Sequence, residues 1–125
     1  MNTAISSMMT AQTATAAMDA SISQVEEIMR NNTISALPII ANEEGHVIGI
    51  ISMRDIMHFH HDKRDPATVS AWEICSYKPL IVSPDTSISD VAKLMVGHGV
   101  HHILVAKDLH TVGIVSALDF VKRCI

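Results

Sequence analysis

Apolar positions recur with helical spacing in two places along the chain. Ile22, Val25, Ile28 and Met29 fall three or four residues apart, as do Ile88, Val91, Leu94 and Met95, so each set forms one face of a predicted helix. Ser21 and Ser87 stand just before these runs, with Gln24 and Asp90 three residues later, in the manner of a capping box. Asn31-Asn32 and Gly97 to Gly99 are expected to end the helices, because Asn and Gly tolerate left-handed backbone. Two β-branched runs follow each helix: Ile34 to Ala41 with Val47 to Ile51, and Ile103 to Ala106 with Val112 to Val115. Asn42-Glu43-Glu44-Gly45 and Lys107 to His110 read as the turns between them. A second helix is expected from Ser52 and from Ser116, and the extended segments Thr13 to Ala17 and Leu80 to Val82 precede the first helices.

The two halves are copies. DASISQVEEIM (Asp19 to Met29) aligns without gaps on DTSISDVAKLM (Asp85 to Met95), with six of eleven positions identical at an offset of 85 − 19 = 66. At the same offset Met9-Thr10 falls on Cys75-Ser76 and SALPIIA on HHILVAK. After a two-residue deletion in a turn, GIISMRD (Gly49 to Asp55) meets GIVSALD (Gly113 to Asp119). A repeat of this kind governs the fold. The predicted class is α/β: two tandem β-α-β-β-α repeats packed as a pseudo-two-fold pair. Repeat 1 covers residues 1–57, a polar linker broken by Pro66 covers 58–70, and repeat 2 covers 71–125. A repeat of about 50 residues has a marginal core, and its three-stranded sheet keeps a face its own helices cannot cover, so the copies are expected to pack together. Clefts at strand ends where helices begin are where small ligands sit.

Composition narrows the field. The chain has 125 residues, 48% of them hydrophobic, yet only Phe59, Trp72, Tyr77 and Phe120 are aromatic, so the core is built from Ile, Val, Leu, Met and Ala. Nine Lys plus Arg against thirteen Asp plus Glu give −4, which argues against a nucleic-acid partner. No apolar run is long enough to span a membrane, and MNTAISSMMTAQ lacks the basic start and apolar stretch of a signal peptide. Cys75 and Cys124 form no metal-spacing motif and read as reduced thiols, Cys75 packed, in a cytoplasmic protein.

Chemistry is sparse. The chain has no Gly-x-Gly-x-x-Gly or Walker loop, no His-Glu-x-x-His and no Ser or Cys elbow, so no catalysis is expected. The repeated Gly-h-h-Ser-x-x-Asp, where h is apolar, can be read in two ways. Ser52–Asp55 and Ser116–Asp119 suit a capping box that needs no ligand. They equally suit a ligand: a carboxylate can accept from both members of a cis-diol, and N–H groups at a strand-to-helix junction favour phosphate. Both roles can hold together if the Asp turns outward. His58, His60 and His61, followed by Asp62 and Asp65, form the only dense ligand-like cluster. His58 and His61 could share a helical face, and a solvated linker is the alternative to a metal site there.

The ordered set of motifs, occurring twice, resembles a tandem pair of cystathionine-β-synthase (CBS) domains, often called a Bateman module. VSPDTSISDVAKLM, HHILV and GIVSALD fit the family pattern, as do SALPII and GIISMRD, while Ala-Ala-Met-Asp stands where Ser-Pro-Asp is usual. The resemblance implies regulatory binding of an adenosine-containing ligand such as AMP, ADP, ATP or S-adenosylmethionine, with no cofactor required and no catalysis. It implies that Asp55 and Asp119 accept from ribose hydroxyls, with Ser52 and Ser116 near ribose and phosphate. It further implies that His101 and His102 reach phosphate, where repeat 1 has Ser35 and Ala36, so repeat 2 is the better phosphate site. Thr10 and Ser76, with Thr13 to Thr15 and Pro79 to Ile81, are the stretches expected to hold adenine through backbone contacts. A homodimer is expected from apolar residues on the second helices, Ile56, Met57, Phe120 and Val121, and the signal would pass to an effector protein in trans. A ligand-free dimerisation module and a His-cluster metal sensor are the rival readings.

Overall fold

A computed structural model describes residues 2–11, 14–41, 45–108 and 110–125. Met1, Gln12, Thr13, residues 42–44 and Leu109 lie outside the described residues, and with them parts of the two predicted hairpin turns and of the first extended segment. In chain order the elements are a 3-10 turn (Ile5–Ser7), β1 (Thr10–Ala11), β2 (Ala16–Ala17), α1 (Ile22–Asn32), β3 (Ala36–Ile40), β4 (Val47–Ser52) and α2 (Met53–His61). Then follow α3 (Ala71–Ile74), β5 (Ser76–Tyr77), β6 (Ile81–Val82), α4 (Ile88–His98), β7 (His102–Lys107), β8 (His110–Ser116) and α5 (Ala117–Arg123).

The chain forms two compact units: Thr13–Pro79, and Met1–Gln12 together with Leu80–Ile125. In the 13–79 unit the sheet order is β2-β3-β4-β5. β2 runs parallel to β3, and β3–β4 and β4–β5 are antiparallel. In the other unit the order is β1-β8-β7-β6, with the same parallel and antiparallel pairings. The repeat thus folds alike twice, down to an irregularity between Ile39 and Ile40 that recurs between Val105 and Ala106.

Each sheet has four strands rather than the three expected. The fourth comes from the leading segment of the other sequence repeat, so the compact units and the repeats do not share boundaries. The reason lies at the helix N-termini, whose first N–H groups have no partner within the helix. In α1, Ile22 N–H donates to the Val69 carbonyl at 3.0 Å and Ser23 N–H to that of Pro66 at 2.9 Å. Gln24 N–H donates to Ser21 Oγ at 3.2 Å, and Gln24 Oε1 accepts from Ser21 N–H at 2.9 Å. In α4, Ile88 N–H donates to the Thr3 carbonyl at 2.9 Å and Asp90 N–H to Ser87 Oγ at 3.1 Å. Thr3 and Val69 are equivalent at the offset of 66. The same backbone role is filled by equivalent residues on opposite copies.

Within the stretch 58–70, residues 58–61 complete α2, Phe59 and Val69 are buried in the 13–79 core, and the Pro66 and Val69 carbonyls cap α1. Helix ends also differ from expectation in one copy. Gly99 takes left-handed backbone after α4 (φ 63°), but Thr33 (φ 52°), not Asn31-Asn32, does so after α1. Asn32 instead stays helical and donates from Nδ2 to the Ile28 carbonyl at 2.8 Å.

The predicted helical faces are the buried ones. Ile22, Val25 and Met29 join Leu37, Ile39 and Ile51 in one core; Ile88, Val91 and Met95 join Ile103, Val105 and Val115 in the other. Each such side chain contributes about 1.5–3 kcal/mol through removal from water. Among the described residues no helix is long and apolar enough to cross a membrane.

Candidate ligand-binding site

β4 and β8 each pass through a glycine and end on the serine that begins a helix. The glycine is there because another chain segment runs very close. A Cβ at Gly49 would stand 2.6 Å from the Ser76 carbonyl oxygen and 2.8 Å from Cys75 Sγ. At Gly113 it would collide with the Met9 thioether and lie 3.0 Å from the Thr10 carbonyl oxygen. Thr10 is opposite Ile114, and Ser76 opposite Ile50, each two positions before the junction serine. The structure thus places Thr10 in the unit of Ser116 and Asp119, while Ser76 and Pro79 belong with Ser52 and Asp55. Ile81, half exposed on β6, lies across β7 from β8 and away from Thr10.

Both junction pairs are capping boxes. Ser116 N–H donates to Asp119 Oδ2 at 2.8 Å, and Asp119 N–H returns a bond to Ser116 Oγ at 3.3 Å. Ser52 N–H donates to Asp55 Oδ2 at 2.8 Å, Ser52 Oγ–H donates to the same oxygen at 3.0 Å, and Asp55 N–H donates to Ser52 Oγ at 3.2 Å. The aspartates turn inward and cap through Oδ2 rather than turning outward. An ionised carboxylate nonetheless has about four acceptor sites. Capping occupies one on Asp119 and two on Asp55, and Oδ1 of each carries no hydrogen bond among the described residues. A diol could still be accepted by either, with more capacity at Asp119.

The N–H groups at the junctions are mostly spoken for. Ala117 N–H donates to the His101 carbonyl at 2.9 Å and Met53 N–H to that of Ser35 at 2.8 Å. With Asp119 and Asp55 N–H also bonded, only Leu118 and Arg54 keep first-turn N–H groups without a partner among the described residues. Any phosphate preference must therefore come mainly from side chains.

His102 is the Cα partner of Ser116 across β7 and β8, whereas Ala36 is the partner of Ser52 across β3 and β4. Directly opposed residues on antiparallel strands share a sheet face with Cβ atoms about 5 Å apart. His102 is half-buried, while His101, one residue before β7, is exposed and offers its carbonyl to α5.

Asp55 also opens onto a feature that sequence reasoning missed. Asp55, His58, Phe59, Asp62, Arg64 and Ile74 line a half-open recess of about 170 Å³ within the 13–79 unit. The first four stand at i, i+3, i+4 and i+7 along α2 and just past its end, which is the one signal that could have grouped them. Arg64 is turned toward Glu73, at 3.4 Å, and lies 5.8 Å from the centre of the Phe59 ring. The histidine cluster is split among different neighbours. His60 meets Glu26 of α1 at 2.6 Å, His61 lies 3.8 Å from Asp62, and His58 faces the recess. Among the described residues no group of three or more His, Cys, Asp or Glu is gathered to hold a metal.

Cys75 is buried against Gly49 in the 13–79 core, and burial pushes its thiol above the ordinary cysteine range, with the Asp55 carboxylate adding to the shift. Cys124 is exposed. The packed-thiol expectation for Cys75 matches this placement.

Two like sheets, each with a Gly-h-h-Ser-x-x-Asp junction, define a tandem α/β module. The CBS domain family matches residues 5–62 and again 71–125, and the chain belongs to that family. Among its relatives is the uncharacterised protein MJ1225 of Methanocaldococcus jannaschii, 28% identical over 104 residues. That match covers 83% of this chain and only 36% of MJ1225. The CBS domain pair of MJ0100, solved with 5′-methylthioadenosine and S-adenosyl-L-methionine, is 24% identical with a TM-score of 0.86 and covers 98% of this chain and all of that one. Hypoxic Response Protein I, solved with two coordinated zinc ions, is 25% identical with a TM-score of 0.78, covering 96% of this chain and 98% of that one.

Proposed function

We propose that this CBS pair is a regulatory module that binds an adenosine-containing ligand and signals to a partner protein in trans. The observation that carries the reading is the junction chemistry, present twice: a half-buried carboxylate held in place by its own capping box, with Oδ1 carrying no hydrogen bond among the described residues. Such an oxygen, fixed before the ligand arrives, accepts a ribose hydroxyl without an ordering cost. Ser116, Asp119 and His102 form the phosphate-bearing site for AMP, ADP or ATP, with His101 at its margin and Thr10 on the flanking strand. Ser52 and Asp55, flanked by Ser76 and Pro79, form a second adenosyl site, and Ile81 is left outside both. The module has no catalytic role and needs no cofactor. It responds to cellular energy or methyl-donor state in the cytoplasm by favouring one conformation when liganded.

The same proposal includes a homodimer. Of the four apolar residues expected to drive it, Ile56 is core and Phe120 half-buried, but Met57 and Val121 are 68% and 57% exposed, with Leu118 beside them at 58%. Light scattering at tens of micromolar should give twice the chain mass; a monomer would contradict the dimer.

The capping boxes also favour a second reading, since they account for Ser and Asp with no ligand at all. A thermal-shift panel of AMP, ATP and S-adenosylmethionine separates the two. A ligand that binds only the native state raises the melting temperature with concentration. No shift with any of them, at millimolar ligand, leaves a purely structural module.

A further inference from the structure

We infer that the two junctions sort adenosyl ligands by the charge of the 5′ substituent, and that the Asp55 junction selects a neutral or cationic one. This rests on the reading of the Ser–Asp pairs as ribose acceptors. At the Ser116 junction the cross-strand neighbour is His102, whose imidazolium form attracts phosphate. At the Ser52 junction that neighbour is Ala36, preceded by Ser35, and neither offers a cation.

The surroundings of Asp55 point the same way. A ribose held on Asp55 stands at the rim of the recess, and the α2 face beyond it presents His58 and then Asp62, two turns on. The side chain of Asp62 is 68% exposed, with His61 Nδ1 3.8 Å from its Oδ1, so a ligand can approach the carboxylate from the solvent side. Arg64 is the one permanent cation of the lining, and it is drawn toward the Glu73 carboxylate and the Phe59 ring. Asp55, Asp62 and Arg64 sum to −1, and Glu73 offsets the arginine further. A phosphate entering there meets net repulsion, because like charges at close range disfavour binding. A thioether or a sulfonium bearing an ammonium does not, and Phe59 and Ile74 offer apolar wall to such a group.

The test uses Asp119→Ala to silence the other junction, with binding of AMP, 5′-methylthioadenosine and S-adenosylmethionine followed by calorimetry. In that variant the remaining site is expected to bind 5′-methylthioadenosine or S-adenosylmethionine at least about tenfold more tightly than AMP, the size of effect that one charged interaction typically has. Adding Asp62→Lys, at an exposed position, should narrow the gap by strengthening AMP several-fold and weakening S-adenosylmethionine. Equal affinity for all three in Asp119→Ala, or no change on adding Asp62→Lys, overturns the sorting while leaving adenosine binding in place. Failure of wild type to bind any of the three overturns the adenosyl reading itself, and the sorting with it.

Discussion

The Ser52 and Ser116 junctions share a backbone plan, yet their surroundings differ in three ways. The glycine of the first is pressed by backbone, the Ser76 carbonyl, and by the buried Cys75; the glycine of the second is pressed mainly by the flexible Met9 side chain. Asp55 spends two acceptor sites on its cap and Asp119 one. Ala36 faces Ser52 where His102 faces Ser116. The two copies share what the helix N-terminus requires and differ in the residues around it.

The largest expected effect breaks the shared plan. Gly49→Ala should cost about 2–3 kcal/mol, near the upper end for overpacking, because a carbonyl on a paired strand cannot move away cheaply. Gly113→Ala should cost less, about 1 kcal/mol, since the Met9 thioether can change rotamer. Urea unfolding of both variants gives the comparison, and equal losses would mean that the leading segments are equally yielding.

Next comes the difference in acceptor capacity. Asp119→Ala should weaken AMP by about 1.5–3 kcal/mol, the range for hydrogen bonds to a charged group. Asp55→Ala should weaken AMP less, lacking the matching cation. Each variant also loses a cap, about 1 kcal/mol of stability, so folding must be verified by circular dichroism first.

His102→Ala sharpens the third difference. It should lower AMP affinity while sparing adenosine, because only AMP carries the phosphate that an imidazolium attracts. An equal loss for AMP and adenosine would assign His102 a packing role instead.

The smallest effect concerns the thiols. Because burial raises the Cys75 pKa, its thiolate is scarce at neutral pH, and a maleimide should label Cys124 well before Cys75. The raised value also means that the folded state holds this proton more tightly than the unfolded one. Its stabilising contribution is complete below the ordinary thiol range and lost as pH rises through the folded value. Comparable labelling rates would show that β5 opens readily from β4.

Much of the fold was legible because helix faces, caps and strand runs leave periodic traces in side chains. Ile22 to Met29 and Ile88 to Met95 bury the faces their spacing predicts. What sequence could not show was which copy each leading segment joins. Thr3 and Val69 fill equivalent roles through carbonyl oxygens, which carry no side-chain signature, so a repeat alignment fits either partner. The same blindness hid the role of the Pro66 and Val69 carbonyls, which lie within 58–70. At the site, Ser-x-x-Asp was legible, but the direction the carboxylate turns depends on local backbone geometry. Arg64 joins the recess only through the turn after α2, which no periodicity marks.

Whether the Ser–Asp junctions receive ribose is tested most directly by titrating AMP and adenosine into wild type and folded Asp119→Ala. Both ligands should bind wild type, and both should lose about tenfold or more in the variant, since the diol is common to the two. Equal affinities for wild type and Asp119→Ala would contradict ribose binding there and leave Ser116–Asp119 as a helix cap alone.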